Sequence, residues 1–167
     1  MTPKINLRFA QPEDTSTIIG LIRELAKFEK LEHEFVGTEE SLKKSLFSDR
    51  PECEAVLAFK DKTPIGFALF FHNYSTFLTK KGLYLEDLYV TPEARGLGVG
   101  KFLLQFLAKV ALERDCGRME WWVLDWNKNA IEFYHKLGAE PMDEWTVFRL
   151  SGESLKQLSK TKRDPTE

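Results

Sequence analysis

The chain has 167 residues, of which 43% are hydrophobic and 30% charged, a size and composition typical of one domain with a hydrophobic core. Its 24 Lys and Arg residues against 26 Asp and Glu give a net charge of -2, so it lacks the excess positive charge that would neutralise a nucleic-acid backbone. The longest apolar runs have only the length of a strand, which argues against a membrane span, and the N-terminus does not show the basic then apolar pattern of a secretion leader. The two cysteines are far apart in sequence, which argues against a metal site or a disulfide framework. We therefore expect a single domain over residues 1–159 with a charged tail over 160–167, located in the cytoplasm, with no nucleic acid, membrane or metal as partner.

The first third of the chain predicts a strand followed by two helices. Apolar and polar residues alternate over Ile5–Phe9, the period of a strand with one buried face. Apolar residues then recur every three or four positions up to Phe28, which predicts an amphipathic helix. The stretch Glu29–Glu34 keeps no period and predicts a loop, after which Thr38 can cap a second, short helix.

The rest of the chain predicts a sheet interrupted by a long helix. Runs rich in apolar, aromatic and β-branched residues predict strands over 55–59, 65–72 and 83–90. A glycine-containing loop follows, and a helical period begins at Val99. Beyond that helix we expect a strand over 119–124, a helix over 129–137 closed by Gly138, and a last strand over 147–150.

The loop Arg95–Gly100 has three closely spaced glycines and opens the long helix. Such a loop presents backbone N–H groups and the positive end of the helix dipole to a ligand, which favours an anion such as phosphate. A P-loop would need glycine at Arg95 and a Ser or Thr after Lys101, and a dinucleotide fingerprint would need glycine at Lys101, so neither motif fits. A tight turn with no ligand remains the alternative explanation of the glycines.

The pattern Arg95-x-x-Gly98-x-Gly100, after a strand that ends in Tyr89-Val90, resembles the coenzyme A pyrophosphate loop of the GNAT acetyltransferases. The predicted order of helices and strands is also that family's order. Further segments resemble the family's spermidine/spermine branch, which includes thialysine acetyltransferases: Glu24–Glu29, Leu83–Val90, and Trp126-Asn127 followed by Phe133-Tyr134. The resemblance implies an α/β fold of one domain with a mostly antiparallel, partly parallel sheet. This sheet would open near Val90 to admit a thioester. The resemblance also implies a homodimer.

The resemblance also implies acetyl-CoA as co-substrate and direct transfer to a small amine, without an acyl-enzyme or a metal. Tyr134 would be the general acid, and Glu86, through a water, would help to deprotonate the acceptor. Phe28, Glu29, Asp87 and Thr76 would line the acceptor site together with Glu86. The residues implied to bind acetyl-CoA are Leu88, Tyr89, Val90, Arg95, Gly96, Leu97, Gly98, Val99, Gly100, Lys101, Asn127, Tyr134 and Lys136.

The chemistry of these side chains suits that reaction. An alkylamine has a pKa of about 10 and arrives as an ammonium, so it must lose a proton before it attacks, and nearby carboxylates help. A phenol of pKa about 10 can protonate a departing thiolate, whose own pKa is about 8.5. Against these roles, an aromatic residue in a helix is more often a packing residue, and Glu86 and Asp87 are neighbours in a strand and must point to opposite faces.

One departure from the branch bears on the acceptor. Polyamine-acetylating members carry an acidic residue before the Leu83–Val90 strand, whereas this chain has Asn73–Phe77 there. This form resembles the thialysine acetyltransferases and favours a shorter, lysine-like amine. A protein or peptide acetyltransferase and a non-catalytic acyl-CoA sensor are the alternatives; a sensor would need neither Tyr134 nor Glu86.

Overall fold

The computed structural model describes residues 4–160. These divide after Trp122 into two compact units. The first unit contains β1 (Ile5–Phe9), α1 (Thr15–Phe28), α2 (Glu39–Phe47), β2 (Glu54–Lys60), β3 (Thr63–Ser75), β4 (Lys80–Val90), α3 (Val99–Glu113) and β5 (Met119–Trp121). The second unit contains α4 (Lys128–Lys136) and α5 (Gly152–Ser159). Of the tail predicted over 160–167, only Lys160 lies within the described residues.

The five strands form one sheet in the order β1-β2-β3-β4-β5. Neighbours from β1 to β4 are antiparallel, and β5 is parallel to β4. The predicted α/β fold with a mostly antiparallel, partly parallel sheet is therefore confirmed. Within the described residues, no helix combines the length and the apolar character that a bilayer span requires.

Helices α1 and α2 pack on one face of the sheet. Ile18, Leu21 and Leu25 of α1 are buried against Leu57 and Phe67 of the sheet, and Ile22, which the predicted stripe contained in place of Leu21, is only partly buried beside them. The predicted cap of α2 is also present, because the backbone N–H of Ser41 donates to the Thr38 hydroxyl at 3.1 Å. Helix α3 packs against β2, β3 and β4.

The last two predicted strands are shorter than expected or absent. The strand expected over 119–124 ends at Trp121, because its ladder with β4 pairs only Leu83 to Leu85. The strand expected over 147–150 is wrong, since this segment has no regular secondary structure and the Phe148 side chain is 94% exposed. Apolar and β-branched residues make a strand only where a neighbouring strand pairs with them, and none pairs with this segment among residues 4–160.

Candidate active site

The glycine loop connects β4 to α3 through a 3-10 turn over Pro92–Ala94. Gly96 has φ 81° and Gly98, the N-cap of α3, has φ 78°, a left-handed conformation that glycine adopts without steric cost. A Cβ atom at either position would have no protein atom within 4 Å. The space beside these two glycines is therefore open to a ligand, and the first N–H groups of the 15-residue helix α3 have no partner within the helix.

The sheet opens beside this loop. β4 continues to Val90, but its parallel ladder with β5 ends at the pair Leu85 and Trp121. On the other side, β3 follows β4 to its end, where Gly66 is opposite Val90. The main chain from Asp87 to Val90 is thus paired on one edge with β3, and β5 does not reach its other edge.

A β-bulge in β4 places two acidic side chains near each other. Asp87 is opposite Leu69 and Leu85 is opposite Phe70, so Glu86 is an extra residue without a partner across the ladder. A bulge interrupts the strict alternation of a strand, so the prediction that Glu86 and Asp87 point to opposite faces does not describe this segment. The Glu86 side chain is exposed and that of Asp87 is half-buried.

The end of α1 supplies a third carboxylate. Lys30 adopts a left-handed conformation with φ 61°, and the N–H of Leu31 donates to the carbonyl of Ala26 at 2.8 Å. This arrangement is a Schellman motif, which ends the helix and sets the direction of the chain after Glu29. The pKa of Glu29 is raised by burial.

Asp87 is the centre of this acidic cluster, which consists of Glu29, Glu86 and Asp87. Burial raises the pKa of Asp87 from 3.8 to about 7, and the negative charges of Glu86 and Glu29 add to the effect. Negative charges that act together on the Asp87 carboxyl favour a cation beside it. The structure thus brings together three of the residues predicted to line the acceptor site.

The second unit carries the predicted general acid. Tyr134 lies in α4, half-buried, with its ring centroid 5.4 Å from that of Phe133. Asn127 is the N-cap of this helix and accepts a hydrogen bond from the N–H of Ala130 at 3.3 Å. Lys136 is the last residue of α4 and is exposed. Asn127 therefore has a capping role in addition to the cofactor contact expected from the sequence.

Thr76 is not brought to the acidic cluster within one chain. It lies in the exposed turn that joins β3 to β4, just after Ser75. Asp87 is opposite Leu69, which lies six residues before Ser75 on β3, and six residues correspond to roughly 20 Å of strand. The placement of Thr76 in the acceptor site therefore receives no support from the geometry of a single chain.

The structure also shows contacts of site residues that the sequence analysis missed. The Arg95 guanidinium carbon lies 4.8 Å from the centre of the Phe28 ring, and the Tyr89 hydroxyl donates to Glu24 at 3.1 Å. The spacing of Glu24 and Phe28, four residues apart on α1, was the signal that could have grouped them on one face. Among residues 4–160 no three His, Cys, Asp or Glu side chains are grouped as metal ligands.

Comparison with known proteins identifies the class. The sequence profile of the acetyltransferase (GNAT) family matches residues 21–139, which include the glycine loop, the acidic cluster and Tyr134. An integron cassette protein from the mobile metagenome of V. cholerae has a similar fold, with a TM-score of 0.79 and 25% identity over 96% of this chain and 99% of that one. The chain belongs to the GNAT acetyltransferase family.

Two curated relatives place it more closely. The thialysine N-epsilon-acetyltransferase of Mus musculus is 37% identical over 92% of this chain and 96% of the mouse protein. The L-ornithine N5-acetyltransferase NATA1 of Arabidopsis thaliana is 36% identical over 92% of this chain and 87% of the plant protein. The protein is an N-acetyltransferase, and the predicted resemblance to thialysine acetyltransferases is confirmed.

Proposed function

We propose that this protein transfers an acetyl group from acetyl-CoA directly to a primary amine of a small, cationic, lysine-like acceptor. The observation that carries the proposal is the acidic cluster. Its central carboxylate, Asp87, lies on the strand that leads into the glycine loop, so a cation held there is close to the end of β4. The names of the mouse and plant relatives support a small amine with a second charged group.

The glycine loop fits the coenzyme. The open space at Gly96 and Gly98 leaves room for a phosphate against the main chain, and the α3 N-terminus favours its negative charge. Main-chain groups of Leu88 and Val90, on the edge of β4 that β5 does not reach, suit the pantetheine arm. The further residues proposed to contact the coenzyme are Tyr89, Arg95, Leu97, Val99, Gly100, Lys101, Asn127, Tyr134 and Lys136.

Two side chains are proposed to move protons. When bound, acetyl-CoA supplies an activated acetyl thioester. Glu86, exposed at the bulge, accepts a proton from the acceptor ammonium through a water, which frees the amine lone pair. Tyr134 donates its phenolic proton to the departing sulfur. The amine nitrogen forms a C–N bond to the acetyl carbon as the C–S bond breaks, and the second proton that the nitrogen then loses replaces the one that Tyr134 has given up.

The acceptor is tested by turnover with thialysine, L-ornithine, lysine, putrescine, spermidine, spermine and a lysine peptide. We expect thialysine or L-ornithine to have a higher kcat/KM than spermine, because the cluster matches a short cation and would leave a distal ammonium of a long polyamine without a partner. Preference for the lysine peptide would indicate a protein acetyltransferase. Coenzyme binding without turnover of any amine would indicate an acyl-CoA sensor, and either result contradicts the proposal.

The role of Glu29 is tested by Glu29→Gln. We expect the KM for the best amine to rise by about 5-fold to 10-fold while kcat changes less, since a charge-assisted contact to the acceptor is lost and the reacting groups remain. Glu32→Gln, at an exposed position three residues further along, is the matched control and should leave both constants unchanged. An equal rise of KM in both variants would assign the effect to general surface charge.

Asp87 predicts a pH dependence of acceptor binding. The cation prefers the ionised carboxylate, so we expect the KM for the amine to fall as pH rises through about 7, and the pH dependence to disappear in Asp87→Asn.

Asp87 also makes the fold less stable at high pH. Because the pKa of its carboxyl is higher in the folded than in the unfolded chain, the free energy of unfolding decreases as pH rises from about 4 to about 7. Asp87→Asn should therefore melt about 3 °C above the wild type at pH 8, with a smaller difference at pH 5. A lower melting temperature at pH 8 would contradict this account.

The family resemblance further supports a homodimer in the cytoplasm. Sedimentation equilibrium of the purified protein decides the first point, with a mass near twice 19.4 kDa expected.

A further inference from the structure

Four side chains connect the end of α1 with the glycine loop, and we refer to them as the Arg95 clamp: Glu24, Phe28, Tyr89 and Arg95. The Tyr89 hydroxyl donates to Glu24 Oε2 at 3.1 Å. The Arg95 guanidinium carbon lies 4.8 Å from the ring centre of Phe28 and 5.9 Å from that of Tyr89. Arg95 Nε donates to the carbonyl of Val90 at 3.2 Å, so the side chain folds back over the end of β4.

The clamp lies beside the acidic cluster. Glu24 and Phe28 are four residues apart on α1 and share one face of that helix. Glu29 follows Phe28 directly, and Asp87 is two residues before Tyr89, on the same face of β4. The residues that hold α1 against β4 are therefore chain neighbours of two of the carboxylates proposed to bind the acceptor.

Each contact of the clamp has a stabilising cause. A hydrogen bond to a carboxylate is stronger than one between neutral groups, and a guanidinium is attracted to the face of an aromatic ring even at exposed positions such as Arg95 and Phe28. Tyr89 is buried, and its hydroxyl pKa is raised by burial and by the bond to Glu24, so it remains a donor at neutral pH. The last turn of α1 is thereby tied to the first residue of the glycine loop.

We propose that the Arg95 clamp positions Phe28 and Glu29 at the acceptor site and couples acceptor binding to coenzyme binding, with Glu24 as a positioning residue. The proposal rests on the proposed function for the identity of the two ligands. A phosphate bound to the amides of the loop restrains the main chain of Arg95, and this lowers the entropy cost of stacking its side chain on Phe28. Binding of either ligand then strengthens binding of the other by the same factor.

The kinetic test uses Glu24→Leu, which removes the acceptor of the Tyr89 hydroxyl, and Glu24→Gln, which keeps an oxygen there. We expect Glu24→Leu to raise the KM for the amine by about 5-fold to 10-fold with kcat within about 2-fold, and Glu24→Gln to restore most of the loss. The effect of Glu24→Leu/Tyr89→Phe on KM should be smaller than the product of the two single effects, because both changes remove the same hydrogen bond, although Tyr89→Phe also removes the polar contact of that hydroxyl with Arg95. Glu40→Leu on α2 is the control and should leave KM unchanged.

An unchanged KM in Glu24→Leu, or additive effects in the double variant, would overturn the clamp. A purely structural role would lower the melting temperature of Glu24→Leu and leave KM near the wild-type value. That outcome counts against the proposal as well.

Hydrogen exchange separates this proposal from the proposed function, since it needs no acceptor. We expect coenzyme A alone to slow amide exchange at Leu25–Glu29 in the wild type, by about 3-fold or more, and not in Glu24→Leu. Slowed exchange without turnover of any amine would support the clamp and contradict the acceptor assignment. Turnover of amines with unchanged exchange at these residues would contradict the clamp alone.

Discussion

Replacing Tyr134 by phenylalanine is expected to lower kcat by about 100-fold, the usual size of a general-acid contribution, and to change coenzyme affinity little. The phenolic proton is what the departing thiolate takes up, and phenylalanine lacks it. The ring that lies 5.4 Å from Phe133 is kept, so the packing of α4 should survive. Initial rates at saturating substrates measure kcat, and calorimetric titration with coenzyme A measures the affinity.

The same substitution elsewhere provides the control. Tyr74 on β3 is 61% exposed, and Tyr74→Phe should leave kcat unchanged. If Tyr134→Phe keeps full turnover from pH 6 to pH 9, the phenol has a structural role and water protonates the thiolate. A loss that appears only at high pH would contradict the assignment too, because a general acid is needed at every pH at which the thiolate has to be protonated.

The glycine loop should lose its ligand when Gly98 receives a side chain. Gly98→Val is expected to weaken binding of acetyl-CoA by about 100-fold, since a β-branched residue strongly disfavours the φ of 78° and its methyl groups would fill the open space proposed for phosphate. Gly98→Ala should have a smaller effect in the same direction. Calorimetric titration with acetyl-CoA gives both dissociation constants.

A matched control lies on α1. A Cβ at Gly20 also has no neighbour within 4 Å, but Gly20 lies inside a helix and does not need a positive φ. Gly20→Ala should therefore leave coenzyme binding unchanged and make the helix slightly more stable. An unaltered affinity in a folded Gly98→Val variant would remove the coenzyme from this loop, and with it the main support for the proposed reaction.

The local elements of this fold could be predicted because their signals are short in range. The period of α1, the cap at Thr38 and the glycines before α3 each depend on residues within one or two helical turns, and all three are present as expected. The segment 147–150 shows the limit of such signals. Its apolar and β-branched residues are typical of a strand, but a strand also needs a partner, and partners are distant in sequence.

The candidate site likewise has features that follow from the sequence and features that depend on the tertiary structure. The amino-acid sequence by itself determined the glycine loop, the carboxylates and the tyrosine, because each is a residue type at a fixed spacing. Only the tertiary structure decided that a bulge brings Glu86 and Asp87 together, that burial raises the pKa of Asp87 to about 7, and that Thr76 lies far from both along the sheet. Strand register, the burial of Asp87 and the contact of Arg95 with Phe28 each depend on residues that are many positions apart in the sequence. Such residues come together only when the chain packs into its tertiary structure.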